Sequence, residues 1–124
     1  MIVWLGVLIA GGFGAVLRFL VDGAVARRAA RSHLFGTLPF GTLVVNISGA
    51  ALLGLLGGLT LSRHAALLAD TAFVGSYTTF STWMLETQRL SEERQLRSAV
   101  ANLVASIVLG IAAALAGQWI AGQL

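Results

Sequence analysis

Polar side chains cluster inside an apolar part of the sequence, between residues 75 and 83. The segment reads Gly-Ser-Tyr-Thr-Thr-Phe-Ser-Thr-Trp and carries five Ser and Thr hydroxyls and one phenol. Hydroxyls bond back to the backbone and glycine lowers helix propensity, so the pattern predicts a helix broken near Gly75 to Thr79. Such breaks expose carbonyls that can hold a cation. A continuous helix whose hydroxyls bond to its own carbonyls remains the alternative.

A second polar feature is an amide, Asn46, in the middle of another apolar run. An unpaired amide is costly in hydrocarbon, so Asn46 needs a hydrogen-bonding partner or a wet cavity. Steps of four residues from Thr42 give Asn46, Ala50, Gly54 and Gly58, which lie along one side of a helix. This stripe of small and polar residues predicts either close helix packing, with Asn46 bonding between helices, or a polar path.

The C-terminal apolar run carries a similar row. Its members are all small or polar and recur every four residues: Ser98, Asn102, Ser106, Gly110, Ala114, Gln118 and Gly122. Because four residues overshoot a 3.6-residue turn, the row winds slowly around the helix. Such a row suits a tilted neighbouring helix or a narrow polar path, and the sequence leaves both open.

Two aromatic residues and one arginine complete the candidate groups. Phe80 and Trp83 are three residues apart and so share a helix face. An aromatic ring is positive at its edge and can solvate a small anion, although aromatic side chains in membrane helices also simply pack. Arg18 lies near the end of the first apolar run. This position predicts that Arg18 either anchors the helix at the membrane surface or attracts anions at the mouth of a vestibule.

The composition places these groups in a membrane. Of 124 residues, 57% are hydrophobic and only 10% charged, with a mean hydropathy of +0.88. A span needs about 20 helical residues. We therefore predict an all-α membrane protein, a single domain over residues 1–124, with four transmembrane helices at residues 2–21, 40–61, 65–85 and 96–124. The absence of cysteine excludes disulfides and thiolate metal sites.

Arginines cluster in the predicted loops, where they set topology and do not form a nucleic-acid-binding face. Four spans put the first and third loops on one side of the membrane. These loops carry six arginines, whereas the second loop and both termini offer one, Arg63; the six are Arg27, Arg28, Arg31, Arg89, Arg94 and Arg97. The positive-inside rule then predicts a fixed orientation with both termini outside.

Three motifs in order resemble the Fluc/CrcB family of small bacterial fluoride channels. They are GGFGAVLRF at residues 11–19, PFGTLVVNISG at residues 39–49 and GSYTTFSTW at residues 75–83. The resemblance implies an antiparallel dimer in the bacterial plasma membrane, with two narrow pores that prefer fluoride to chloride. It also implies a structural sodium ion at the dimer centre, held by the backbone carbonyls of Gly75 and Thr78.

The resemblance also implies the pore residues. It assigns the pore amide to Asn46 and the first pore phenylalanine to Phe80, and the hydroxyl donors beside them would be Thr42, Ser81, Thr82 and Ser106. Two departures stand out: Trp83 replaces the usual second phenylalanine, and Gly75-Ser76-Tyr77 replaces the usual Gly-Gly-Leu. The arginine distribution bears on the partner in this dimer. A chain that inserts in one fixed orientation can form an antiparallel dimer only with an oppositely oriented paralogue, whereas a chain that inserts both ways can pair with itself.

Other functions remain as alternatives. A small four-helix multidrug/proton exporter needs a titratable carboxylate in the membrane, and the sequence places none in mid-span. A non-transporting assembly or anchoring subunit has little use for so many hydroxyls in its third span. A degenerate, non-conducting partner subunit of a heterodimeric fluoride channel stays an alternative. No nucleophile, base and orienting group can be assembled from these residues, so we predict no enzyme.

Overall fold

The computed structural model describes residues 1–31 and 38–124. The described residues contain helices and turns but no strands. The helices are α1 (Ile2–Arg31), α2 (Phe40–Gly57), α3 (Arg63–Ala66), a π-helical segment (Leu67–Val74), α4 (Gly75–Tyr77), α5 (Ser81–Glu92) and α6 (Leu96–Gln123).

The first helix is longer than the predicted span. It has 30 residues and therefore measures roughly 45 Å, against roughly 30 Å for a hydrocarbon core. Arg27, Arg28 and Arg31 thus lie on its last turns, and their assignment to a loop is wrong. Alanine and arginine are good helix formers, and basic side chains suit the negative end of the helix dipole, so the helix continues past the apolar run. His33 of the predicted first loop lies outside the described residues.

The long helices α2 and α6 pack closely through glycine. A Cβ on Gly54 would collide with the carbonyl of Ala114, and one on Gly117 would collide with the carbonyl of Ala51. Only glycine allows the two backbones to approach so closely, which is how small residues bring membrane helices together. Packing is therefore the role of Gly54 and Ala114, two members of the predicted stripe and row. Helix α2 ends at Gly57, four residues before its predicted end.

The third predicted span is broken, and we call residues 63–92 the broken span. Helix α4 ends at Tyr77, Thr78 is extended with ψ 162°, and α5 begins at Ser81. The break therefore occupies residues 78–80, the C-terminal part of the predicted stretch, whereas Gly75 itself is still helical. Two hydroxyls also bond back as in the alternative: Ser76 Oγ to the Phe73 carbonyl and Thr78 Oγ1 to the Val74 carbonyl, both at 3.0 Å.

The predicted third loop is shorter than expected. Helix α5 extends to Glu92 and α6 begins at Leu96, so Arg89 and Arg97 lie on helices. Arg94 lies in the tight turn between them and has a positive φ of 61°. The loop between the two helices is therefore a turn of only a few residues.

Three of the described helices, α1, α2 and α6, are long and apolar enough to cross a membrane. Their apolar side chains, such as Phe13 and Leu115, are largely exposed. So much exposed apolar surface is unfavourable in water. The broken span packs among them: α1 contacts the π-helical segment and α4, and α5 contacts α6. The chain is a multi-pass membrane protein.

Candidate functional site

The side-chain amide of Asn46 is bonded to the break from both of its ends. Its Nδ2 donates to the Thr79 carbonyl and its Oδ1 accepts from the Thr79 amide, each at 2.8 Å. This reciprocal pair fixes the orientation of the amide, because Thr79 needs one acceptor and one donor. Asn46 is therefore an interhelical hydrogen-bonding group, as one of the two alternatives predicted. An amide nitrogen carries two N–H groups, so one donor remains for another partner.

This pairing also explains where the helix stops. In a continuous helix the Thr79 amide would donate to the Gly75 carbonyl. It donates to Asn46 instead, which releases that carbonyl from its helical partner. Helix α5 then starts beyond the break, where Thr79 Oγ1 accepts from the amide of Thr82 at 3.2 Å. The Asn46 side chain on α2 thus holds the irregular backbone of the break in place.

Arg18 contacts the same break from the side of α1. Its guanidinium donates to the Thr78 carbonyl at 3.2 Å. Together with Thr79 and Thr82 it lines a cavity of about 140 Å³ that also includes Asp22. Arg18 is therefore bonded to the backbone of the broken span, and its role as a membrane anchor or as an anion-attracting charge stays a prediction.

Thr42 lies one helical turn before Asn46 and is 3% exposed. Its hydroxyl donates to Glu86 Oε1 at 2.6 Å, so its only proton is committed to a carboxylate. Thr42 and Asp22 line both the cavity beside Arg18 and a neighbouring cavity of about 370 Å³ that contains Glu86 and Arg89. The two cavities form a polar region on the side of the predicted first and third loops.

Asn46 and the two aromatic residues share a different cavity. It measures about 300 Å³ and is lined by Asn46, Thr79, Phe80 and Trp83 together with apolar residues of α2 and the broken span. The Phe80 and Trp83 rings lie 5.7 Å apart and are nearly perpendicular, at 81°. Phe80 is 69% exposed, so the cavity is open on one side. The cavity thus brings the Asn46 amide and the two aromatic rings together, and their role toward an anion stays a prediction.

The remaining hydroxyl candidates lie apart from this cavity. Ser81 is exposed at the start of α5, and Thr82 lines the cavity beside Arg18. Ser106 Oγ is buried and has no hydrogen-bond partner within the described part of the chain, and Ser106 lines neither the aromatic cavity nor that beside Arg18. Its free hydroxyl gives it the capacity to donate to a ligand.

Asp70 is a carboxylate that the sequence analysis did not single out. It lies in the π-helical segment, near the start of the predicted third span, and one of its oxygens is buried without a hydrogen-bond partner among the described residues. It lines a cavity of about 680 Å³ with Met1, Arg63 and His64. Because Asp70 lies near one end of the span, it leaves the prediction of no carboxylate in mid-span unchanged.

The fold and the cavities define a small multi-pass membrane protein whose polar groups converge on a helix break. The family model described as CrcB-like protein, Camphor Resistance (CrcB), matches residues 5–118. The chain belongs to this family.

Several relatives carry a common name. A "Fluoride-specific ion channel FluC 2" of Mycolicibacterium paratuberculosis is 72% identical over 119 residues, 96% of this chain and 93% of the relative. A protein of the same name from Mycobacterium tuberculosis is 68% identical over 96% of this chain and 90% of the relative. A "Fluoride-specific ion channel FluC 1" of Leifsonia xyli subsp. xyli is 39% identical over 98% of this chain and 88% of the relative.

Proposed function

We propose that this chain is a subunit of a fluoride-selective ion channel, through which fluoride leaves the cell passively. The observation that carries the proposal is the open cavity at the break, where the Asn46 amide and the Phe80 and Trp83 rings converge. The names of relatives that match nearly the whole chain support the same ion. Family membership also argues against a multidrug/proton exporter, in spite of Asp70.

The chemistry of the cavity suits a small, strongly hydrated anion. Replacing the water around fluoride requires donors held in fixed positions. The second N–H of Asn46 and the positive ring edges are such donors, since the Asn46 amide is held by Thr79 and the two rings pack against each other. Chloride is larger, has a lower charge density and gains less from the same donors. The site therefore favours fluoride over chloride.

The direction of transport follows from the membrane potential. Neutral hydrogen fluoride crosses membranes and ionises in the cytoplasm. A passive anion pore in a bacterial plasma membrane then releases fluoride, because the inside-negative potential drives anions outward at roughly 2.3 kcal/mol per charge per 100 mV. The proposed role is to reduce fluoride toxicity, and it requires no energy source beyond the potential.

The aromatic cavity is open in a single chain, which supports a second subunit, and the family resemblance implies that this subunit is antiparallel. Phe80 is 69% exposed and the aromatic cavity is open beside it, so a second subunit is needed to enclose an ion. An antiparallel arrangement would place two breaks at the same membrane depth. The partner would contribute the second wall of each pore.

The backbone at the break has groups that suit the sodium ion implied by the resemblance. The Gly75 carbonyl has lost its helical partner to Asn46 and is available as a ligand. The Thr78 carbonyl accepts from Arg18, but a carbonyl oxygen has two lone pairs and retains one for a cation. We include sodium, held by Gly75 and Thr78, in the proposal as a structural ion at the dimer centre.

The proposal is tested with purified protein in liposomes loaded with potassium fluoride or potassium chloride. A potassium ionophore imposes the potential, and ion-selective electrodes record release. We expect rapid fluoride release and chloride release at the level of protein-free liposomes. Equal rates for both anions, or no fluoride release from a folded dimer supplied with its partner, would contradict the channel function.

A further inference from the structure

A closed set of hydrogen bonds joins α5 to α6 next to the aromatic cavity. Asn102 Nδ2 donates to Thr87 Oγ1 at 2.9 Å, and Thr87 Oγ1 donates to the Trp83 carbonyl at 2.8 Å. The indole nitrogen of Trp83 donates to the Asn102 carbonyl at 3.4 Å, which closes the cycle. We call these three residues the α5–α6 clasp.

The clasp contains one of the few buried polar side chains of the described structure. Asn102 is 2% exposed, and a buried amide in a membrane protein is stable only when it is bonded. Thr87 has one hydroxyl proton and uses it on the Trp83 carbonyl, so its lone pairs face Asn102. The three bonds therefore give Asn102 Nδ2, the Thr87 hydroxyl and the Trp83 indole N–H defined donor roles.

This arrangement decides what Trp83 can offer to an anion. Tryptophan has one N–H, and that N–H is bonded to the backbone of α6. The ring nevertheless lines the aromatic cavity and lies against Phe80. The part of Trp83 that faces the cavity is therefore its carbon framework, and the polar N–H points away from the cavity.

We propose that Asn102 and Thr87 are positioning residues that hold the Trp83 indole with its N–H on α6, so that Trp83 presents C–H edges, and no N–H, to the permeating anion. The orientation of the Trp83 indole rests on the clasp alone. Its consequence for the permeating anion rests on the proposed fluoride channel function. In this arrangement Trp83 offers the cavity the same kind of C–H ring edge as a phenylalanine. The extra hydrogen bond locks the larger ring instead of adding a donor to the pore.

The experiment makes Trp83 the sole tryptophan of the chain and follows its indole by NMR. Trp4 and Trp119 are 67% and 68% exposed, so Trp4→Phe and Trp119→Phe remove them at little structural cost. Thr87→Val removes the hydroxyl with little change in shape, and Thr87→Ser keeps it as the matched control. Fluorotryptophan labelling reports the ring environment by fluorine NMR, and proton NMR reports the indole N–H.

We expect Thr87→Val to shift or broaden the Trp83 fluorine resonance and to lower fluoride release, and Thr87→Ser to restore both. In the protein with Thr87 intact, the indole N–H resonance should exchange slowly and respond equally to fluoride and chloride. An N–H shift specific to fluoride would overturn the proposal, even if Thr87→Val does not fold. Identical ring resonances for Val, Ser and Thr would also overturn it. Failure of the channel function would appear separately, as absent fluoride flux with the ring shift preserved.

Discussion

At the residue scale, Asn46 has a double use that changes what its substitution should do. Asn46→Asp keeps an acceptor for the Thr79 amide but removes both N–H donors and places a carboxylate oxygen against the Thr79 carbonyl. Removing the donor of this part-buried hydrogen bond costs about 1–3 kcal/mol of stability, so we expect the thermal midpoint of the dimer to fall. Loss of the second N–H removes a donor to the permeating anion as well. A similar energy lost there corresponds to a fall in fluoride release of about tenfold or more.

Both quantities are measured on the same preparation, with fluoride electrodes and with a thermal stability assay in detergent. The control is Ser91→Ala, because Ser91 is exposed near the C-terminal end of α5 and takes no part in the contact between Asn46 and Thr79. Reduced conduction at unchanged stability would mean that the second N–H of Asn46 is the important one. Parent-like values of both would show that the bond to the break is dispensable.

At the element scale, the sequence predicts that the third span breaks but misplaces the start of the break. Glycine and five hydroxyls in an apolar run are visible in the sequence. The hydrogen bond from the Thr79 amide to Asn46, in contrast, depends on how α2 packs against the broken span. This packing places the break at residues 78–80. Arg27 and Arg31 show a different limit of prediction from sequence. Their charge predicts a loop, but the alanine-rich helix α1 continues and carries these charges on its last turns.

The proposed sodium site at the break can also be tested, because the ion would bind backbone groups of both chains of the dimer. If the carbonyls of Gly75 and Thr78 hold sodium at the dimer centre, the ion binds only the assembled protein and stabilises it by mass action. We expect the thermal midpoint of the dimer to rise with sodium chloride, compared with N-methylglucamine chloride at equal ionic strength. Arg18→Gln removes the competing charge at Thr78 and should strengthen the effect. A midpoint independent of sodium in both proteins would remove the ion from the proposal.

At the scale of the whole molecule, hydropathy predicts the three long apolar helices and their order, but not the pairing of polar groups. Thr42 and Glu86 are 44 residues apart in sequence, and Arg18 and Thr78 are 60 apart. No periodicity within one helix predicts these contacts, so the hydrogen-bond partners of Thr42 and Arg18 became known only from the fold. The same holds for Asp70, whose membrane depth depends on where the span begins.

The distribution of arginine makes the last prediction, which concerns orientation. Helix α1 is about 15 Å longer than a hydrocarbon core, and its last turns lie beside Glu86 and Arg89 of α5. We therefore expect Arg27, Arg28 and Arg31 to lie beyond the membrane on the same side as the turn between α5 and α6. Six arginines on one side against Arg63 on the other is a strong bias by the positive-inside rule. We expect one fixed orientation with both termini outside. The antiparallel partner would then be a paralogue of opposite bias.

The test joins reporters to the C-terminus after Leu124 and expresses the chain alone. Alkaline phosphatase is active only outside the cytoplasm, and green fluorescent protein fluoresces only inside it. We expect phosphatase activity without fluorescence. As a matched control, replacing Arg27, Arg28 and Arg31 by alanine on helix α1 preserves helix propensity, removes three of the six arginines on that side and should produce fluorescence as well. Comparable signals from both reporters on the parent chain would mean dual insertion, and the partner would then be a second copy of this chain.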